Sequence, residues 1–237
     1  MKVDDAIRLT YSALKSLVEP GKATRALPKT ESPKNPEIYV FRHGQTFDNV
    51  NRVYSGWRDS ELTREGKKQA KLLNRVIKHK QIDVCITSRL SRSKETAKLA
   101  LSGMKVKFEV DDRIIERDYG ELAGASKLKN LREDPVNAVK YRRFYDFPPP
   151  GGESMKMVKE RVFEFCDELV KRVRRTGENV ALSAHGNSMK MIRLYFEKLE
   201  IEEVLEQENP LGQDYAEYVV EPKRIVVAKM MLSSRAK

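Results

Sequence analysis

Short apolar runs at 38–42, 83–87 and 180–184 alternate along the chain with longer stretches of helical periodicity. In a chain of 237 residues, long enough to bury its own core, that alternation predicts an α/β fold: a three-layer sandwich with a mostly parallel sheet covered by helices on both faces. Two of the runs end alike. Ile38-Tyr39-Val40-Phe41-Arg42 leads into His43-Gly44, and Val180-Ala181-Leu182-Ser183-Ala184 leads into His185-Gly186-Asn187. Side chains at the carboxyl ends of parallel strands share one crevice, so these two histidines are expected to face each other.

The remaining elements follow from periodicity and turn residues. A helix is expected from Leu62-Thr63, with Leu72, Leu73, Val76 and Ile77 on its apolar face. Ser88 to Ser93 turns into a second helix through Ala100, and 105–110 alternates Val106, Phe108 and Val110 as a strand. Residues 116–150 are rich in charge, aromatics and turn formers and are expected to run over one face of the sheet. A long helix follows Ser154, burying Val158, Val162, Phe165, Leu169 and Val173; Met189 to Leu199 is helical again. A strand pair at 216–221 and 224–230, split by Pro222-Lys223, closes the domain.

The domain is thus expected to span 37–230, with a basic tail at 231–237. Before it, residues 3–18 place Val3, Ala6, Ile7, Leu14, Leu17 and Val18 at helical spacing. A docked amphipathic helix is favoured over a transit peptide, because Asp4 and Asp5 sit badly in an acid-poor presequence. Pro20-Gly21 stops that helix, and Pro28, Pro33 and Pro36 mark a linker within 1–36.

A net charge of +11 favours anionic partners. Five of the last sixteen residues are basic (Lys223, Arg224, Lys229, Arg235, Lys237) and none is acidic. No aromatics interleave there, so a small phosphorylated substrate is preferred to nucleic acid, with a basic nucleic-acid-binding protein as the rival of another class. No apolar run is long enough to span a bilayer and no signal-peptide core is present, so no membrane partner is expected and the location is read as cytoplasmic. Cys85 and Cys166 lie in apolar runs without ligand spacing and read as buried thiols. No carboxylate cluster is spaced for a metal, and none is expected. A homo-oligomer is left open.

A neutral imidazole can attack phosphorus and form a phosphohistidine, splitting one displacement into two. The step needs fixed cations on the phosphoryl oxygens and a proton for the leaving oxygen. Arg42 beside His43 and Arg92 at a helix start offer guanidinium forks. His185 completes the pocket, and Glu116 in Ile114-Ile115-Glu116-Arg117-Asp118-Tyr119-Gly120 is the best-placed acid. His79, between Lys78 and Lys80, reads as a solvated residue at a helix end.

At these residues the chain resembles the histidine phosphatase superfamily and, within it, the cofactor-dependent phosphoglycerate mutases, over about residues 37–221. Arg42-His43-Gly44 resembles the nucleophile triplet, Thr87 to Ala97 the signature whose arginine, here Arg92, binds phosphate, and Glu116 and His185-Gly186 the acid/base and second histidine. Further runs are closer to the mutases: Asn49, Ser55-Gly56-Trp57, Glu116 to Gly120, Lys127, Tyr141-Arg142-Arg143, Phe147 to Pro150, and Ala184 to Ser188. The resemblance implies a metal-free glycolytic and gluconeogenic enzyme interconverting 3- and 2-phosphoglycerate, primed by 2,3-bisphosphoglycerate. It implies substrate-binding roles for Asn49, Ser55, Gly56, Arg117, Tyr119, Lys127, Arg142, Arg143, Gly186 and Asn187. Taken without the resemblance, Arg142-Arg143 also reads as a surface charge pair. One departure counts the other way: many such mutases carry an insertion before the Glu-Ser that opens the next helix, whereas here Pro150-Gly151-Gly152-Glu153-Ser154 passes directly on. The short form is frequent among phosphatase members, and less cover over the site would admit water, so a phosphatase of a small phosphomonoester or sugar phosphate is the alternative.

Overall fold

The computed structural model describes residues 3–18, 25–29, 34–221 and 225–227. In chain order the elements are α1 (Val3–Val18), β1 (Glu37–Arg42), α2 (Phe47–Val50), α3 (Arg64–Ile77), β2 (Val84–Thr87), α4 (Ser91–Ala100), β3 (Lys107–Val110), α5 (Lys127–Glu133), α6 (Pro135–Arg143), α7 (Met155–Thr176), β4 (Val180–Ala184), α8 (Gly186–Glu197), α9 (Ile201–Glu206), β5 (Ala216–Val220) and β6 (Ile225–Val227). The sheet has the order β3-β2-β4-β1-β5-β6. β3, β2, β4 and β1 are mutually parallel, while β5 runs antiparallel to both β1 and β6. The fold is the three-layer α/β sandwich with a mostly parallel sheet that the alternation predicts.

Strand residues of alternating parity face opposite layers. Ile38, Val40, Val84, Ile86, Val180 and Leu182 enter a core with Val158, Val162, Phe165, Leu169 and Val173 of α7 and Met189 and Ile192 of α8. Tyr39, Phe41, Cys85 and Ala181 enter a second core with Leu73 and Ile77 of α3 and Ala97 and Ala100 of α4. Each fully buried aliphatic side chain contributes roughly 1.5–3 kcal/mol. The two thiols are divided between the layers, and burial pushes both far above the ordinary value.

Three elements differ in detail from the sequence reading. α8 begins at Gly186 rather than near Met189, because Ser188 Oγ accepts from His185 N at 3.1 Å and starts the helix against two poor helix formers. The helix expected from Leu62-Thr63 begins at Arg64, with the Thr63 hydroxyl accepting from Gly66 N at 3.0 Å. β3 is an edge strand whose Phe108 and Val110 are exposed, while Glu109 between them is held by Arg172 of α7. Residues 116–150 do run as an excursion, built on the short helices α5 and α6. The closing strands pair antiparallel, with Val220 opposite Ile225; the expected strand residues 228–230 and the tail 231–237 lie outside the described residues.

α1 forms where the periodicity puts it and packs on α6 and α9, with Ala13 fully buried. The proline-marked stretch is fastened to the sheet where it is described: the Pro28 and Pro36 carbonyls accept from Glu217 N and Val220 N, each at 2.9 Å.

The first turn of α3 lies directly on the loop after β1. A Cβ at Gly66 would stand 2.1 Å from the Gln45 carbonyl oxygen, and one at Gly44 would stand 2.5 Å from that of Gly66. Gly66→Ala is therefore expected to destabilise the fold by about 1–3 kcal/mol, as overpacking does. Urea denaturation checks this; a loss below about 0.5 kcal/mol would mean that the helix and loop separate freely.

Candidate active site

β1 and β4 pair in parallel with Arg42 opposite Ala184, and His43 N continues the ladder to Ala184 O at 3.1 Å. The residues that follow in each strand are His43 and His185, so register alone sets them side by side. Their ring centroids lie 5.2 Å apart at 57°. On the other side of β4, β2 ends opposite Ser183, which brings Ser88 Oγ to 2.8 Å from His185 Nε2.

Both rings are buried, and both are held well below the ordinary imidazole pKa, first by burial and then by the Arg92 charge. Arg42 adds to the shift at each ring. His43 Nδ1 lies 2.7 Å from the Gly44 carbonyl oxygen, which can only accept; that nitrogen carries the proton, and the Nε2 lone pair is free to act as a nucleophile. Arg92 Nε donates to His185 Nδ1 at 3.3 Å, so the His185 proton sits on Nε2 and points to Ser88.

Arg92 is 1% exposed. It also donates through Nη1 to the Arg58 carbonyl at 3.0 Å and through Nη2 to the Gly56 carbonyl at 2.8 Å, which fixes the fork behind the histidines. Arg42 Nη1 donates to Asn209 O at 3.0 Å, while its buried Nε has no acceptor among the described residues. An N–H left bare in that position suits an anionic oxygen. Gly186 allows the close approach of Arg42 and Glu116, since a Cβ there would meet Glu116 Oε2 at 3.3 Å and Arg42 Nη2 at 3.4 Å.

The Glu116 carboxylate lies at the amino end of α8. Its Oε1 accepts from Arg117 N at 2.8 Å and Asn187 N at 3.0 Å, and its Oε2 from Gly186 N at 3.0 Å. The Glu116 carbonyl is clamped by Trp57 Nε1 at 2.7 Å and Arg161 Nη2 at 3.1 Å. Backbone donors thus fix the carboxylate rather than a salt bridge, and leave it facing the cleft.

The cleft is lined by Arg42, His43, Asn49, Ser55, Gly56, Arg92, Glu116, Tyr119, Lys127, Arg142, Arg143, Gly186 and Asn187, all read from the sequence, and by Arg52, Lys190 and Glu208, which were not. Lys127 is pushed down to about 7, chiefly by burial and then by Arg142 and Arg42. Lys190 is pushed down to about 8, again chiefly by burial. Glu208 lies among these cations, and their charges hold its carboxyl near 2 against the opposing effect of its own burial. The signal for Lys190 is its place in Met189-Lys190-Met191-Ile192, a cation inside a buried apolar helix, which is costly without a function. Nothing local marks Glu208.

Three expected contacts differ. His185 is fully buried and does not line the cleft; its ring is held between Arg92 Nε and Ser88 Oγ behind His43. Arg117 does not line the cleft; it turns away and donates to the carbonyls of Glu153 at 2.6 Å, Tyr141 at 2.5 Å and Phe147 at 3.1 Å, holding the excursion together. Arg143 lines the cleft, but its guanidinium is bound to Ser12 of α1 and to the Arg142 carbonyl.

A parallel α/β sheet with two neutral histidines, two buried arginines and a backbone-held carboxylate at its carboxyl end defines a site for phosphoryl groups. The chain belongs to the histidine phosphatase superfamily (branch 1), which it matches over residues 38–220. It is 37% identical over 207 residues to the 2,3-bisphosphoglycerate-dependent phosphoglycerate mutase of Parvibaculum lavamentivorans, covering 84% of this chain and 97% of that protein. It is 31% identical over 172 residues to the protein of the same name from Cytophaga hutchinsonii, covering 71% and 81%. Among solved structures, Bacillus stearothermophilus YhfR superposes with a TM-score of 0.73 at 26% identity, over 81% of this chain and 95% of that one. A mycobacterial glucosyl-3-phosphoglycerate phosphatase shares the fold with a TM-score of 0.71 at 24% identity, over 81% and 97%.

In the folded protein both active-site rings stay neutral, whereas in the unfolded chain each gains a proton below its ordinary value of 6.5. The unfolded state then binds more protons. The contribution of the two rings is therefore full above that pH and falls as the pH drops, by up to about 1.4 kcal/mol per pH unit for each ring. Urea midpoints measured between about pH 7 and about pH 5.5 should show this limb, and His185→Asn should flatten it by roughly half of the two-ring slope. An unchanged slope would assign the proton uptake to other groups.

Proposed function

We propose that this enzyme interconverts 3-phosphoglycerate and 2-phosphoglycerate through a phosphohistidine on His43, with 2,3-bisphosphoglycerate as primer. The observation that carries the reading is the surplus of cations. Arg42 and Arg92 suffice for one phosphoryl group beside His43, yet Arg52, Lys127, Arg142 and Lys190 also line the same cleft. A phosphatase of a simple monoester has no use for that second set; a substrate bearing a carboxylate and a phosphate, or two phosphates, does. The names of the curated relatives support the same reading.

In this mechanism Glu116 enters the charging step as the carboxylic acid: the His43 Nε2 lone pair attacks phosphorus, the bond from phosphorus to the leaving oxygen breaks, and that oxygen takes the Glu116 proton, leaving the carboxylate. The Nδ1 proton on Gly44 O holds the tautomer. Arg42 and Arg92 bear on the phosphoryl oxygens as charge moves onto them, and His185, whose Nδ1 accepts from Arg92 Nε, holds that guanidinium in place. Transfer back to the other oxygen of the three-carbon substrate reverses the steps, with Glu116 accepting the hydroxyl proton. The bare Arg42 Nε and the second cation set fit a bisphosphorylated primer, whose part is to supply the phosphoryl group that charges His43. Asn49, Ser55, Gly56, Tyr119, Lys127, Arg142, Gly186 and Asn187 would hold it by lining the cleft.

The second reading, a phosphatase, rests on the connection before α7. Gly152 N bonds back to Pro149 O at 2.9 Å and α7 starts at Met155, so no inserted segment covers the cleft there. Product analysis separates the two. With 3-phosphoglycerate and catalytic 2,3-bisphosphoglycerate, 2-phosphoglycerate should form at a rate unaffected by chelator; release of inorganic phosphate without isomerised product would establish the phosphatase. His43→Ala should abolish the acid-labile label that labelled bisphosphoglycerate leaves on the enzyme, and a labelled variant would remove His43 as acceptor.

Glu116→Gln keeps the shape of the side chain and removes the proton transfer. Turnover should fall roughly 10²–10⁴-fold with substrate affinity retained. Near-normal turnover would move the acid/base role elsewhere.

A further inference from the structure

α1 lies outside the region that matches the superfamily, which begins at residue 38. It nonetheless reaches the cleft wall. Arg143 of α6 donates from Nε to Ser12 Oγ at 3.1 Å and from Nη2 to Ser12 O at 2.8 Å. The same guanidinium donates from Nη1 to the carbonyl of its neighbour Arg142 at 3.1 Å. It also stands 3.6 Å from Glu208, which is 3.8 Å from Lys190. Arg142, Arg143, Lys190 and Glu208 all line the cleft.

We propose that α1 is a positioning element of the active site: Ser12 fixes Arg143, and Arg143 in turn fixes Arg142 and Glu208 at the end of the cleft that takes the second anionic group. The identity of that anion rests on the phosphoglycerate reading. The Arg143 side chain is 2% exposed, so its N–H groups need protein acceptors, and α1 provides two of them. Removing them frees the guanidinium to swing toward the Glu208 carboxylate, and the carbonyl clamp on Arg142 is lost with it. The docking of α1 is specified independently of this contact. Ala13 is fully buried beside Ser12, and Arg8 pairs with Glu206 of α9. His43, Arg92 and Ser88, at the phosphoryl end, touch none of these residues; Arg42 comes nearest to them, through its bond to Asn209 O beside Glu208. α1 therefore acts first on the second-anion end.

The test compares the full-length protein with Ser12→Ala, which removes one acceptor, Ser12→Thr, which restores a hydroxyl, and Ala13→Leu, which pushes the helix away. Calorimetric affinities are measured for 3-phosphoglycerate and for inorganic phosphate, together with phosphoryl labelling of His43. Ser12→Ala should weaken 3-phosphoglycerate about threefold to tenfold, Ala13→Leu more than about tenfold, and Ser12→Thr less than about twofold. Inorganic phosphate affinity, and the extent of His43 labelling at saturating labelled bisphosphoglycerate, should stay within about twofold in all three. Unchanged 3-phosphoglycerate affinity in Ser12→Ala and Ala13→Leu, or an equal loss for both ligands, would overturn the proposal. Failure of the wild type to label His43 would instead refute the phosphohistidine reading, while the two affinities still decide the role of Ser12.

Discussion

Everything at the site descends from the parallel pairing of β1 with β4. That ladder places the last residue of one strand opposite the last residue of the other and carries one further hydrogen bond, from His43 N to Ala184 O. A slip by one residue would turn one imidazole to the opposite face of the sheet. The slip is forbidden by the cores: Ile38, Val40, Val180 and Leu182 all belong to one layer, and Tyr39, Phe41 and Ala181 to the other. The packing that stabilises the sheet is thus also what aligns the two rings. β2 joins the same arrangement from the other side of β4 and delivers Ser88 and Arg92.

The site holds an unusual concentration of positive charge away from water. Arg92, Arg42, Arg143 and Lys190 are buried or nearly so, and desolvation of each opposes its charge. Carbonyl oxygens are the direct hydrogen-bond acceptors, Gly56 and Arg58 for Arg92, Asn209 for Arg42 and Leu205 for Lys190, and among the described residues only Arg143 and Lys190 of these four have a carboxylate close by. Neutral acceptors satisfy N–H groups without cancelling the field, so the pocket stays attractive to anions and keeps both histidines deprotonated. The one internal anion at the far end, Glu208, lies close to Arg143 and Lys190 rather than at His43.

How much of this was legible in the sequence depended on locality. The histidines, Arg42, Arg92 and the register that unites them follow from apolar runs and the residues that end them. Glu116 could be named from its place after a strand, but not the three amides that hold it, because two of them belong to a helix start seventy residues away. That start was itself misjudged, since Gly186 and Asn187 look unlike helix until Ser188 is seen capping His185. Arg117 was misassigned for a general reason: a cation in a motif can equally well bind substrate or tie together carbonyls of an irregular loop, and only the fold decides. Arg161, which clamps the Glu116 carbonyl from α7, lies off the apolar face of that helix, where spacing marks no role. The α6 and α9 helices are too short for periodicity to declare them.

The division of the two cysteines between the layers has a practical meaning. Cys85 of β2 lies under α3 and α4, and Cys166 lies on the buried face of α7 in the core shared with α8, each with its thiol sealed and protonated. A thiol-specific reagent can reach either sulfur only when the layer above it opens. The native chain therefore carries a separate clock on each side of its sheet, and the order in which the two sulfurs become reactive would reveal which half of the sandwich loosens first.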